Sequence, residues 1–139
     1  MVSVRSEREF DVDSGMLWAI LADFGNIGWI PGIEKVELEG DGVGMIRHVT
    51  APGMPMLHER MDAIDHDEMI LDYSVPAVEY LKVKNYRARA RVVALEGGRC
   101  RLIWSCESEP DGVTEAQATA NSEAFYAMVM GWIGDALAR

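Results

Sequence analysis

Residues 45–64, MIRHVTAPGMPMLHERMDAI, alternate in character on both sides of Pro52-Gly53, the pattern of two paired strands joined by a turn. With Pro52, Gly53 and Met54 as a three-residue loop, Ala51 faces Pro55, Val49 faces Leu57, Arg47 faces Glu59 and Met45 faces Met61. All of these side chains share one face. The other face carries Ile46, His48 and Thr50 against Met56, His58 and Arg60, followed by Asp62, the set expected toward water. A slip of one residue would bury His48 and Arg60 and expose Val49, Leu57 and Met61, so the pattern fixes the register. The inward face is then apolar except at one rung, where Arg47 stands opposite Glu59.

Outward from this hairpin the chain reads as a succession of strands. Val2, Val4, Ser6, Arg8, Phe10 and Val12 alternate in a first strand over residues 2–12. Asp13 or Ser14 caps a helix over about residues 15–22, and DFGNIGWIPG reads as a second short helical turn closed by Pro31 and Gly32. After a strand in IEKVELEG come Met45–Ala51, Pro55–Ile64, Met69–Val75, Asn85–Leu95 and Cys100–Ser108, joined mostly by hairpin-sized turns. Lys82 and Lys84 share the parity of inward Tyr86, so a bulge precedes Tyr86 or the strand begins at Asn85. From Val113 to Ala138 a helix about 39 Å long carries Ala116, Ala120, Ala124, Met128 and Trp132 as its expected buried stripe. The fold class is therefore α+β, a seven-stranded curved antiparallel sheet wrapped around a long C-terminal helix, with two short helices between strands 1 and 2. The curvature of such a sheet leaves a hollow that one helix does not fill.

The chain, 139 residues, suits one domain over residues 1–139 with a sizeable core. A net charge of -10 argues against nucleic acid and anionic membranes as partners, and no apolar run is long enough to span a bilayer. A small hydrophobic ligand is the expected partner, in a cytoplasmic protein; homodimerisation is left open. Cys100 and Cys106 lie about 20 Å apart along one strand, beyond disulfide reach, and read as buried thiols. No cofactor is implied. The histidines have no metal-ligand spacing, DAIDHDE lacks the glycine and glutamate of a calcium loop, and GDGVG lacks the strand-to-helix setting of a phosphate loop.

The order strand, SGMLWAILADFGNIGWIPG, six strands and a long final helix resembles the SRPBCC superfamily. This helix-grip group includes START lipid-transfer domains, the birch pollen allergen group and polyketide cyclases. The pieces that carry the likeness are Trp18 with Leu21 to Gly25, Trp29 with Pro31, then HERMDAID, ILDYSV, NYRARARV and LIWSCES, and they look like the polyketide cyclase/dehydrase and lipid-transport branch. The resemblance implies a cavity between sheet and helix. It also implies a role for Arg47 and Glu59, which fall where a member of the superfamily, lachrymatory factor synthase, places an arginine and a glutamate on neighbouring strands.

Burying Arg47 demands an anionic or strongly polar partner, because a guanidinium cannot shed its charge; Glu59 supplies one. The pair then either ties two strands together or serves a ligand. In the second case Arg47 binds a carbonyl, enolate or carboxylate, and Glu59 accepts a proton or hydrogen bond, which also suits cyclisation or dehydration chemistry. Met61, Tyr73, Tyr86, Ala88 and Trp104 follow the inward parity of their strands and are candidate cavity residues, with small Ala88 leaving volume free. Trp29 on the connector is a candidate gate, and Phe125, Met128 and Trp132 of the helix a candidate lid. Arg87, Arg89, Arg91 and Arg101 face outward as a basic stripe, a solvated face or the seat of a protein partner.

Overall fold

Antiparallel pairing of β3 (Ile46–Thr50) with β4 (Leu57–Asp65) places Arg47 opposite Glu59, His48 opposite His58 and Val49 opposite Leu57. This is the register that the alternation of apolar and polar residues dictates. The connecting loop is wider than three residues, and Gly53 within it adopts a φ of 73°, open without strain only to glycine. The computed structural model describes residues 1–139. Its other elements are β1 (Val2–Phe10), α1 (Ser14–Ala22), β2 (Lys35–Glu39), β5 (Ile70–Val78), β6 (Val83–Ala94), β7 (Cys100–Pro110) and α2 (Glu115–Leu137).

The seven strands form one antiparallel sheet in the order β1-β7-β6-β5-β4-β3-β2. Because β1 and β2 lie at opposite edges, the segment between them must cross the whole sheet. Asp13 caps α1 by accepting from the Gly15 N–H at 3.0 Å, as the acidic residue before the apolar run predicts. The second helix expected over DFGNIGWIPG does not form. Gly25, Gly28, Pro31 and Gly32 interrupt it, and residues 23–32 instead make successive turns closed by single bonds such as Ile30 N–H to Ile27 C=O.

At the other disputed boundary, β6 begins at Val83 and not at Asn85. Asn85 bulges out at a φ of 49°, its pairing to β7 shifts between Lys84 and Arg87, and Val83 and Tyr86 both stay buried while Lys84 is exposed. The bulge thus resolves the parity conflict without losing Val83 and Lys84 from the strand.

Helix α2 starts with a capping box, in which Thr114 Oγ1 accepts from Gln117 N–H and the Gln117 side chain accepts from Thr114 N–H. Its buried face is Ala118, Ser122, Tyr126, Val129 and Ile133, whereas Ala116, Ala120 and Ala124 are exposed and Met128 is 51% exposed. The expected stripe took steps of four throughout. Each such step overshoots a full turn by about 40°, so five positions spread around nearly half the helix; the true seam inserts a step of three. Fully buried Ala118 and Ser122 let the N-terminal half of α2 approach the core closely. Ala118→Leu is therefore expected to cost about 1–3 kcal/mol in urea unfolding, while Ala120→Leu changes stability by about 0.5 kcal/mol or less.

Candidate functional site

The concave face of the sheet meets α2 over a core that runs from Val2 and Leu102 to Tyr126 and Ile133. On one flank, between β3, β4, the turns of residues 27–33 and the outer side of α2, the elements do not close, and a cavity of about 400 Å³ remains. Most of its wall is apolar. A broader depression of about 590 Å³ lies around the bulge at Asn85, but it is more open and most of its lining residues are polar, among them Arg60, Arg87, Glu107 and Glu109. Volume alone does not select it, since an enclosed apolar hollow with a few convergent polar groups is the usual form of a small-molecule site.

Arg47 and Glu59 project into the smaller, apolar cavity. Arg47 Nε donates to Glu59 Oε1 at 2.5 Å, and Nη1 donates to the backbone C=O of Phe24 at 2.9 Å. The guanidinium also sits 3.9 Å from the centroid of the Phe24 ring and 5.6 Å from that of Tyr73. Phe24 belongs to the LADFG motif, so the connector that crosses the sheet also seats the arginine. The two side chains are 10% and 15% exposed, and their remaining polar atoms, Nη2 and Oε2, make no hydrogen bond within the protein. Neither atom is sealed off, because Ser108 Oγ is the one buried side-chain polar atom without a partner.

The other expected site residues divide into two groups. Tyr73 and Trp104 reach the cavity from β5 and β7, Trp29 from the connector, and Phe125, Met128 and Trp132 from the flank of α2. Met61, Tyr86 and Ala88 do not. Met61 is buried in the core beside the Met61–Ala63 bulge of β4, and Ala88 is covered between its cross-strand partners Tyr73 and Cys106. Tyr86 lies deeper still, its hydroxyl 2.7 Å from that of Tyr126. Inward parity puts a residue on the core side of the sheet; whether it reaches the hollow depends on which part of that side the packed core fills.

Tyr80 was not foreseen. The stretch around it reads as a loose connection, yet β5 continues to Val78 and a 3₁₀ turn over Glu79–Leu81 swings the Tyr80 ring to 5.3 Å from Phe125, on the cavity wall. Its hydroxyl has no partner in the protein. Burial, and after it the negative charge of Glu59, raise the pKa of both Tyr73 and Tyr80 well above that of an ordinary phenol, so both remain O–H donors. The Tyr73 hydroxyl in turn accepts from Trp104 Nε1 at 3.2 Å. Ile27, Ile30 and Val129, also unforeseen, complete the apolar wall together with Leu57 of the inward face of β4.

Outside the cavity, His48 Nδ1 and His58 Nδ1 approach to 2.7 Å on the convex face, with Glu39 at 3.1 Å from His48 Nε2. The arginine stripe on that face carries little free charge. Arg89 holds Asp72 through two bonds of 2.8 and 3.0 Å, Arg101 and Arg99 share Glu9, and Arg87 and Arg91 face Glu107 and Glu68. Each arginine of the stripe thus has an acidic neighbour on the same face. No helix is long and apolar enough to cross a membrane.

A curved antiparallel sheet that grips a long C-terminal helix, with an apolar hollow between them, defines the helix-grip class of SRPBCC, START-like proteins. The chain belongs to the family described as polyketide cyclase / dehydrase and lipid transport, which it matches over residues 1–138. Family and fold together support the binding of hydrophobic ligands in general. Among solved structures, an uncharacterised protein of Bacillus thuringiensis aligns with a TM-score of 0.87 at 20% identity, covering 99% of this chain and 100% of that one. Truncated norcoclaurine synthase of Thalictrum flavum aligns at 0.74 and 21% identity, covering 97% and 89%. The protein Ara h 8.0201 aligns at 0.78 and 19% identity, covering 97% and 96%. Likeness at these identities is likeness of fold. A search of curated proteins finds no match.

Proposed function

We propose that this protein binds a compact hydrophobic small molecule in the cavity, with Arg47 and Glu59 engaging the ligand's polar group. The observation that carries this reading is the pair itself: one donor edge and one carboxylate oxygen left unpaired on the wall of an otherwise apolar hollow. At about 400 Å³ the cavity lies near the lower end of the usual range for small-molecule sites, which suits a ligand of roughly two or three rings better than a long acyl chain. Denaturing extraction of the purified protein followed by mass spectrometry is expected to release such a compound, and the emptied protein to bind the uncharged dye N-phenyl-1-naphthylamine. Failure of the folded protein to bind the dye would count against the reading.

A second reading, a cyclase or dehydratase, is favoured by one specific feature. The free oxygen of Glu59 adjoins a guanidinium, an arrangement able to take a proton from a ligand while the cation stabilises the developing oxyanion. Norcoclaurine synthase, whose fold this chain shares, has been captured in complex with dopamine and hydroxybenzaldehyde, so the architecture can host two small aromatic molecules. The readings separate on Glu59→Gln: catalysis predicts retained ligand binding with lost product, and binding alone predicts altered retention with no product to lose.

A further inference from the structure

Arg47 is the only cationic side chain on the cavity wall, and its charge is already matched by Glu59. The remaining lining offers indoles, phenols and apolar groups, none of them charged at neutral pH. A carboxylate ligand entering the hollow would therefore meet Glu59 at close range, or would have to displace it from Arg47 and leave it in an apolar wall without a partner. Both cost free energy: like charges repel strongly where the effective dielectric is low, and a buried unpaired carboxylate forfeits its hydration.

What the pair does offer is geometrically specific. Nη2 lies on the same edge of the guanidinium as Nε, which already holds Glu59 Oε1. The bonded pair thus keeps one free donor, Nη2 next to Nε, and one free acceptor, Oε2 next to Oε1. Building on the proposal of ligand binding above, we infer that the cavity selects uncharged ligands that present a hydrogen-bond acceptor next to a donor, such as an amide, a hydroxy ketone or an enol, and rejects carboxylates of the same shape. The ligand's acceptor takes a hydrogen from Nη2, and its donor gives one to Oε2. Tyr80, on the Phe125 side, adds an uncharged donor and does not change the balance.

The isosteres 2-naphthamide and 2-naphthoate test this at pH 7.5, each titrated against N-phenyl-1-naphthylamine bound to the full chain. The amide is expected to displace the dye at a concentration lower by about tenfold or more than the naphthoate requires. Glu59→Gln, which keeps the side-chain shape and frees the Arg47 charge, is expected to invert the order, so that the naphthoate becomes the tighter ligand. Equal displacement by the two probes in the unmodified protein, displacement by neither, or an unchanged order in the folded Glu59→Gln protein would overturn the inference while leaving cavity binding intact. Failure of the dye to bind would instead remove the cavity reading, and this inference with it.

Discussion

Arg47→Met is expected to lower stability by about 3–5 kcal/mol, the range for removing one partner of a buried ion pair. The substitution leaves Glu59 charged on an apolar wall, strips the Phe24 carbonyl of its donor and removes the cation stacked on the Phe24 ring. Arg47→Met combined with Glu59→Leu is expected to recover most of the loss, because replacing both partners by apolar groups of similar volume leaves no charge without a counterpart. Urea unfolding of the two variants measures the difference. Naphthamide displacement should be lost in both, which separates the pair's contribution to stability from its contribution to recognition. A cost below about 1 kcal/mol for the single variant would mean that water reaches the pair freely and that it does not belong to a cavity wall. A double variant as unstable as the single would place the loss in the Phe24 contacts instead of the unpaired charge.

This rung of the sheet was legible in the sequence because strand periodicity has only two phases. A one-residue slip would have put His48 and Arg60 inside, so a charge at an inward position had to be real, and an arginine there had to find an anion directly opposite. The helix face was harder. Apolar residues occur all around α2, with Met128, Val129, Met130, Trp132 and Ile133 covering several directions, so composition does not single out a stripe, and only packing against the sheet shows that Ala118 and Ser122 are its closest points. The cavity wall was legible where it comes from strands, at Tyr73 and Trp104, and from the helix flank, at Phe125 and Trp132. It was not legible at Tyr80 or at Ile27 and Ile30, because these lie on turns whose direction is set by the elements they join and not by a repeat of their own. Met61, Tyr86 and Ala88 point inward as expected but are buried within the packed core and do not line the hollow.

All four tyrosines of the chain, Tyr73, Tyr80, Tyr86 and Tyr126, have pKa values raised above the ordinary phenol range, in each case chiefly by burial. The folded protein is therefore expected to show almost no tyrosine titration near pH 10, and to unfold cooperatively at higher pH. The sign follows from proton binding. Above about pH 10 the unfolded chain releases its phenolic protons while the folded chain keeps them, so the unfolded state binds fewer protons and stability falls as pH rises; below about pH 10 the contribution is fully present. Each deeply buried phenol removes about 1.4 kcal/mol per pH unit in that range. Tyr73, Tyr86 and Tyr126, at 5%, 3% and 1% exposure, together remove about 4 kcal/mol per unit, and Tyr80 adds a smaller share. Against a domain stability of about 5–15 kcal/mol, this places the transition within a few units above pH 10, and the acidic net charge moves it lower. Tyrosinate absorbance and far-ultraviolet circular dichroism should accordingly change together in one sigmoid. A gradual rise in absorbance near pH 10 with the dichroism intact would show that these hydroxyls meet water in the folded state, and would open the wall on which Tyr73 and Tyr80 hold their protons beside Glu59.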